Sequence, residues 1–484
     1  VDFHVSLTGR GELSARIYRQ LLEAILDGRL RPGERLPPTR ELARRLEVSR
    51  NTVAVAYERL TAEGFVTARV GAGTYVCVDP LARARPRRGG LARTAPTGRG
   101  VGPRAVWRSI PVWPGERAAR PRYDFKVGVP DFALFPLESW RRLVSRELRA
   151  SVLGSADYTD PCGHPDLRTA IARHIGISRS VRAGADDVIV TNGAQQALDL
   201  VGRVLIEPGD HVAVEEPGYP PARMLFRSLG ARVTGVPVDG EGLDVAAIPS
   251  SARLVYVTPS HQFPLGTPMS LARRTALLDW AERRGAVVIE DDYDSEFRFS
   301  DRPLEPLQSL DRNGRVIYVG SFSKSMLPML RLGFLVAPAS LRAALLAARR
   351  LTDWHGHHPQ QAAMARFIDD GLLARHIRKA NRVYAARHRR ILDTLRRDFA
   401  AWLDPIPSAA GLHLCALAAD AAIDVGRVLA RAAELGVGAE SVSGYHAEQV
   451  PHRPGVVLGY GAIPLEEIDE GLRRLAAAFR DGVS

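Results

Sequence analysis

Apolar residues recur at helical spacing through the first sixty positions and at strand spacing just after them. In GELSARIYRQLLEAILDGRL, Leu13, Ile17, Leu21 and Ile25 fall four apart, which predicts an amphipathic helix with one buried face. RPGERLPP then breaks the chain. TRELARRL predicts a short helix with Thr39 at its N-cap and Leu42 and Leu46 facing inward. SRNTVAVAYERLTAEGF predicts a third helix, capped by Ser49 and buried along Val53, Tyr57 and Leu60. Arg50, Asn51 and Thr52 are left near its exposed N-terminal end. FVTARVGAGTYVCV reads as two short strands around Gly71-Ala72-Gly73, a hairpin.

Beyond residue 123 the pattern changes to strands alternating with helices. VIVTNGAQQAL, HVAVEEPGYP, RLVYVTPSHQFPLG, AVVIEDDYDSEF and VIYVGSFSK each join a β-rich run to a polar or glycine-bearing turn. Helical stretches such as SLARRTALLDWAERRG lie between several of them. Alternation of this kind predicts a mainly parallel α/β sheet, whose ligands collect beyond the strand C-termini.

Charge divides the chain in a third way. The net charge is +12 over 484 residues, but residues 83–122 alone carry 11 arginines against the single acid Glu116. This Pro-, Gly- and Arg-rich segment has no sustained periodicity and reads as a linker, either a solvated tether or a basic arm that also touches DNA phosphates. Domains are therefore expected at 1–80 and 123–484, joined by 81–122. No apolar run reaches membrane-spanning length, and VDFHVSLTGR lacks the apolar core of a signal peptide. Cys77, Cys162 and Cys415 are odd in number and far apart, which suits a reducing compartment. A cytoplasmic protein without membrane partners is expected.

The N-terminal pattern carries DNA-reading chemistry. In a helix-turn-helix the second helix enters the major groove, where arginine can hold guanine and asparagine can hold adenine through paired hydrogen bonds. The stretch from about residue 11 to 78, with turn, both helices and wing in order, resembles the winged-helix DNA-binding domain of the GntR family. That resemblance implies DNA contacts from Arg40, Ser49, Arg50, Asn51 and Thr52, with the wing glycine Gly73 close to phosphate.

The second region carries different chemistry. Only three of the 66 basic residues are lysine: Lys126, Lys324 and Lys379. A lysine can lose its proton and form a Schiff base with a carbonyl, which arginine cannot. Lys324 follows a strand together with Ser321 and Ser323, and Arg331 lies seven residues on. Asp291 and Tyr293 alternate in EDDYD and should share a face. Gly193-Ala194-Gln195 opens a helix whose free N–H groups suit a phosphate. An amine, a carboxylate, a phenol and an anion cup are what pyridoxal 5'-phosphate (PLP) requires of a protein. The S-x-x-K spacing of Ser321 and Lys324 also matches penicillin-recognising serine enzymes, but their S-D-N and K-T-G elements are missing.

The region from about 123 to 480 resembles the aminotransferase class I fold of PLP enzymes, a type I α/β fold with a smaller C-terminal α+β subdomain. Joined to a GntR-like winged helix, it resembles the MocR subfamily of transcriptional regulators. The resemblance implies a Schiff base at Lys324, ring contacts from Asp291 and Tyr293, and phosphate contacts from Ala194, Gln195, Ser321, Ser323 and Arg331. It further implies stacking by Tyr219, a phosphate contact from Tyr158 of a second protomer, and hence a homodimer. Two departures bear on activity. SHQFPLG carries Phe263 where enzymes of this fold have the asparagine of an N-P-x-G turn, with His261 and Gln262 beside it. HRPGVVLGYGAI places Leu458 where a substrate-gripping arginine is expected, with Arg453 as the nearest substitute. The expected function is therefore a regulator that binds PLP and operator DNA and senses an amino acid or amine, with little turnover; the alternative is an active aminotransferase with an appended DNA-binding domain. His355, His357 and His358 are read as a polar loop near the cofactor mouth or a dimer interface, not as a metal site.

Overall fold

The computed structural model describes residues 12–69, 73–77, 102–111, 121–149, 157–299, 305–447 and 450–483. The chain falls into two compact units, 1–102 and 103–484.

In the first unit α1 (Leu13–Leu26), α2 (Thr39–Arg45) and α3 (Arg50–Ala62) precede a hairpin of β1 (Val66–Arg69) and β2 (Gly73–Val76). Ile17, Leu21, Ile25, Leu42, Val53, Tyr57 and Leu60 are buried and pack into one cluster with Val66 and Val76 of the hairpin. Each such side chain contributes about 1.5–3 kcal/mol on burial. Leu13, expected on the same stripe, is 41% exposed because it occupies the first position of α1, beyond the packed face. Thr39 is the first helical residue rather than the cap; Pro38 takes the cap position, where a fixed φ and missing N–H cost nothing. Ser49 does cap α3, its Oγ accepting from the Thr52 N–H at 3.1 Å. Ser49→Ala should therefore destabilise this unit by about 1 kcal/mol, read as a lowered unfolding midpoint of the full chain.

The second unit is built on an eight-stranded sheet. Its strands are β4 (Val188–Thr191), β5 (His211–Glu216), β6 (Arg232–Asp239), β7 (Gly242–Leu243), β8 (Ala252–Val257), β9 (Val287–Asp292), β10 (Val316–Ser321) and β11 (Gly333–Val336), in the order β4-β11-β10-β9-β8-β5-β6-β7. The central run β10, β9, β8, β5 and β6 is parallel, whereas β11 is antiparallel to both its neighbours and β7 to β6. β4, β9, β10 and β11 are buried almost throughout, as strands covered on both faces must be. A second, antiparallel sheet of β12 (Leu403–Pro405), β13 (His413–Ala418), β16 (Gly455–Gly459) and β15 (Glu440–Ser441) forms the smaller subdomain. Ahead of the large sheet, β3 (Tyr123–Asp124) pairs with β14 (Val437–Gly438), tying the start of this unit to its C-terminal subdomain.

The Arg-rich segment lies mostly outside the described residues. Its described part contains a short helix, Ala105–Ser109, preceded by Arg104, which donates to the Ser228 carbonyl at 3.2 Å.

Candidate functional site

Five strand ends of the large sheet converge on one cavity of about 280 Å³, whose wall includes Ala194, Gln195, Tyr219, Asp291, Tyr293, Ser321, Ser323, Lys324 and Arg331. Nine of the ten residues expected at a cofactor are thus brought together. Parallel strands explain it, since each ends on the same edge of the sheet and its following turn opens there.

At the floor, Asp291 and Asp292 are adjacent on β9 and point to opposite faces. Asp292 is spent on structure: its Oδ2 accepts from Arg179 Nε at 2.7 Å and from the Tyr318 hydroxyl at 2.5 Å. Asp291 faces the cavity, and its Oδ2 accepts from the Tyr256 hydroxyl at 2.7 Å. Its Oδ1 is buried with no hydrogen-bond partner. Burial pushes this carboxyl up to about 7, against the opposing pull of the Tyr256 hydrogen bond. A buried carboxylate oxygen with no donor is costly and calls for a cationic N–H.

Lys324 sits in the turn after β10, and its Nζ donates to the Gly128 carbonyl at 2.6 Å. Withdrawal from water lowers its pKa, with Asp294 and Asp291 pulling the other way. This is the shift that favours a neutral, nucleophilic amine. Gly128 has φ +76°, which favours glycine, and a Cβ there would lie 2.8 Å from Nζ and push the lysine tip aside.

The anion cup lies where α4 (Ala194–Leu205) begins. Arg331 Nη2 donates to the Asn192 carbonyl at 2.7 Å, and its guanidinium lies so close to Gly193 that a Cβ would meet Nη2 at 2.6 Å. Ser321 Oγ donates to Ser323 Oγ at 2.9 Å, holding both hydroxyls at the same end. Helix N–H groups, a guanidinium and two hydroxyls form a cup suited to a phosphate dianion.

Tyr293 donates to the His261 carbonyl at 2.9 Å, and His261 Nδ1 lies 3.1 Å from both oxygens of Asp294. Tyr219 lines the cavity and meets Phe263 edge-on at 5.7 Å; burial pushes its phenol up to about 12. Tyr158 is the exception. It is 73% exposed, lies outside the cavity wall and stacks on Trp354 at 4.4 Å.

Wall residues that carried no local signal include Val127, Gly128, Tyr256, His413, Glu440 and Tyr445. His261, Asp294 and His413 gather with ligand-type atoms within 4.8 Å of one another. His261 Nε2 already meets Ser408 Oγ and His413 Nε2 the Pro264 carbonyl, both at 3.1 Å, so the trio reads as a positioning network. His358 instead packs against His164 at 4.5 Å, and His355 bonds the Gly356 carbonyl.

On β16 the residue that packs toward the site is Val457 rather than Leu458. Leu458 packs toward the helical layer with Phe125 and Tyr384, while Val457 faces Phe263 and Tyr445 on the cavity side. A one-residue slip in a strand reverses the face. Arg453 is no substitute: it binds Asp404 and the Ala418 carbonyl and does not line the cavity.

In the N-terminal unit, Arg40, Arg50 and Asn51 are exposed and make no side-chain hydrogen bond or ion pair among the described residues. Thr52 is partly committed, its Oγ1 lying 2.7 Å from Ser49 Oγ. Gly73 has φ +114°, and a Cβ there would lie 2.7 Å from Arg35 Nε. The wing thus brings an exposed arginine alongside Gly73 that sequence reasoning missed.

Known proteins match both units. Residues 13–76 match the family described as bacterial regulatory proteins, gntR family, and residues 122–434 match aminotransferase class I and II. The chain is 39% identical, over 96% of its length and 93% of the relative's, to the probable rhizopine catabolism regulatory protein MocR of Rhizobium meliloti. The chain belongs to the MocR-type GntR family of transcriptional regulators. A further regulator of this type, the pyridoxine biosynthesis transcriptional regulator PdxR of Corynebacterium glutamicum, is 31% identical over 98% of this chain and 96% of its own. The fold of the larger unit is that of the PLP aminotransferases. The Pyrococcus horikoshii kynurenine aminotransferase, solved in complex with PMP, superposes with a TM-score of 0.70 at 27% identity, covering 76% of this chain and 92% of its own. In a MocR-type regulator the winged helix makes DNA the partner of the N-terminal unit. Among the described residues, no helix is long and apolar enough to cross a membrane.

Proposed function

We propose that the C-terminal unit of this DNA-binding regulator binds PLP at Lys324, and that occupancy by the cofactor and a small amino compound sets how the winged helix engages its operator. The unpaired Oδ1 of Asp291, buried in a cavity that also holds the lysine and an anion cup, carries this reading. PLP supplies a carbonyl that captures amines and a ring that accepts electrons. Lys324 would hold that carbonyl carbon, Asp291 the ring nitrogen and Tyr293 the ring oxygen. Ala194, Gln195, Ser321, Ser323 and Arg331 would hold the phosphate, and Tyr219 would cover the ring.

Exposed Tyr158 and Trp354, with Leu351 88% exposed nearby on the preceding helix, support a second copy packing on this face. Tyr158 would then serve the partner's phosphate. Communication with the winged helix has a covalent route. The segment after β3 gives the Gly128 carbonyl to Lys324 and the Val127 N–H to Glu440, and that segment continues directly from 81–122. A ligand that changes either contact acts on the chain entering the linker.

The test combines the visible absorbance of the purified protein with its affinity for DNA fragments selected from a random pool, with and without PLP. A cofactor band and a PLP-dependent change in affinity or mobility are expected. No band, with identical DNA binding in both states, would refute the proposal. Steady multiple-turnover transamination would favour the enzyme instead.

A further inference from the structure

We propose that the effector of this site is a primary amine that carries no carboxylate, and that Glu440 reads its far end. The proposal rests on the PLP reading above and specifies the class of ligand.

The cavity is closed on the subdomain side by the antiparallel sheet. Cys415 pairs with Val457, and Val457 with Glu440, so the three side chains stand in a row on one face. That face is the one packed on Phe263, Tyr445 and Val127. An arginine that gripped a carboxylate from this sheet would have to stand on the same row, and the row holds a thiol, an isopropyl group and a carboxylate. Lys324 and Arg331 are the only lysine or arginine lining the cavity among the described residues. Arg331 is engaged in the cup at Gly193, with Nη2 on the Asn192 carbonyl.

Glu440 accepts the Val127 N–H at 3.0 Å on Oε1 and the Tyr445 hydroxyl on Oε2. Both donors are neutral groups, and they leave the carboxylate with spare lone pairs. It also lines a neighbouring surface opening with Phe263, Tyr445 and Pro220, which makes it reachable. A ligand carboxylate beside Glu440 would meet like charge with no cation to offset it. An ammonium or hydroxyl there would donate to it.

Three probes of equal length separate the possibilities: 1,4-diaminobutane, 4-aminobutan-1-ol and 4-aminobutanoate. Each is titrated into the full-length protein loaded with PLP and freed of excess, with binding followed by visible absorbance and by calorimetry. The diamine and the amino alcohol should bind at least tenfold more tightly than the amino acid. Glu440→Gln should erase most of the diamine's advantage while leaving the lysine-dependent band in place. Equal or tighter binding of 4-aminobutanoate overturns the proposal, as does an unchanged preference in Glu440→Gln or no binding of any probe. The wild-type comparison decides the matter even if the variant does not fold. Failure of the cofactor reading looks different: no Lys324-dependent band appears at all, and this proposal falls with it.

Discussion

Lys324→Ala protein is expected to leave purification colourless, with every trace of lysine-dependent visible absorbance gone. The other two lysines, Lys126 and Lys379, do not line the cavity, so no second amine can take over. Lys324→Arg should fail in the same way, because a guanidinium keeps its proton and cannot attack a carbonyl. PLP added to either variant would be held only by the phosphate cup and Asp291 and should wash out on desalting. The alanine variant removes one donor from the Gly128 carbonyl, on a residue that is only half-buried. Circular dichroism should therefore report an unchanged fold, and the N-terminal unit, a separate compact body, should be unaffected. An undiminished band in Lys324→Ala would remove the basis of the cofactor assignment.

Much of this site could be read from local patterns because parallel strands deliver their following turns to one edge. Once TNGAQQ, EDDYD and GSFSK were recognised as strand ends, their meeting followed from topology rather than from luck. The alternation of Asp291 and Asp292 shows why period two matters: one faces the cavity, and its neighbour is consumed by Arg179 and Tyr318. The same rule exposed the slip at β16, where Leu458 and Val457 are equally apolar in sequence and only the register tells which faces the site. What stayed hidden came from long-range pairing. Val127 and Glu440 meet across 313 positions, and Gly128 and Lys324 across 196, with no periodicity in either segment to announce it. The winged helix was easier, since its core is built from helices and a hairpin within one short stretch. Its misses were small and had local causes. Proline displaced Thr39 from the cap, and Gly73 takes a left-handed φ of +114° with the Arg35 guanidinium beside it.

Changing both Arg50 and Asn51 to alanine should abolish discrimination between selected and random DNA. The two residues stand exposed at the start of α3, directly after a cap that fixes the helix N-terminus. Each paired contact to a base edge is worth about 1–3 kcal/mol of discrimination, so losing two removes about 2–6 kcal/mol, or roughly 30-fold to 10⁴-fold. Binding to random DNA should fall much less, because it rests on phosphate contacts. Arg40→Ala is the informative contrast: as a phosphate contact it should weaken binding to both sequences alike and reduce the slope against log salt by about one. Neither change touches the cavity, so the visible spectrum should stay as in the wild type. Sequence preference that survived the double change would place the base-reading surface elsewhere, with Arg35 beside the wing the next residue to test.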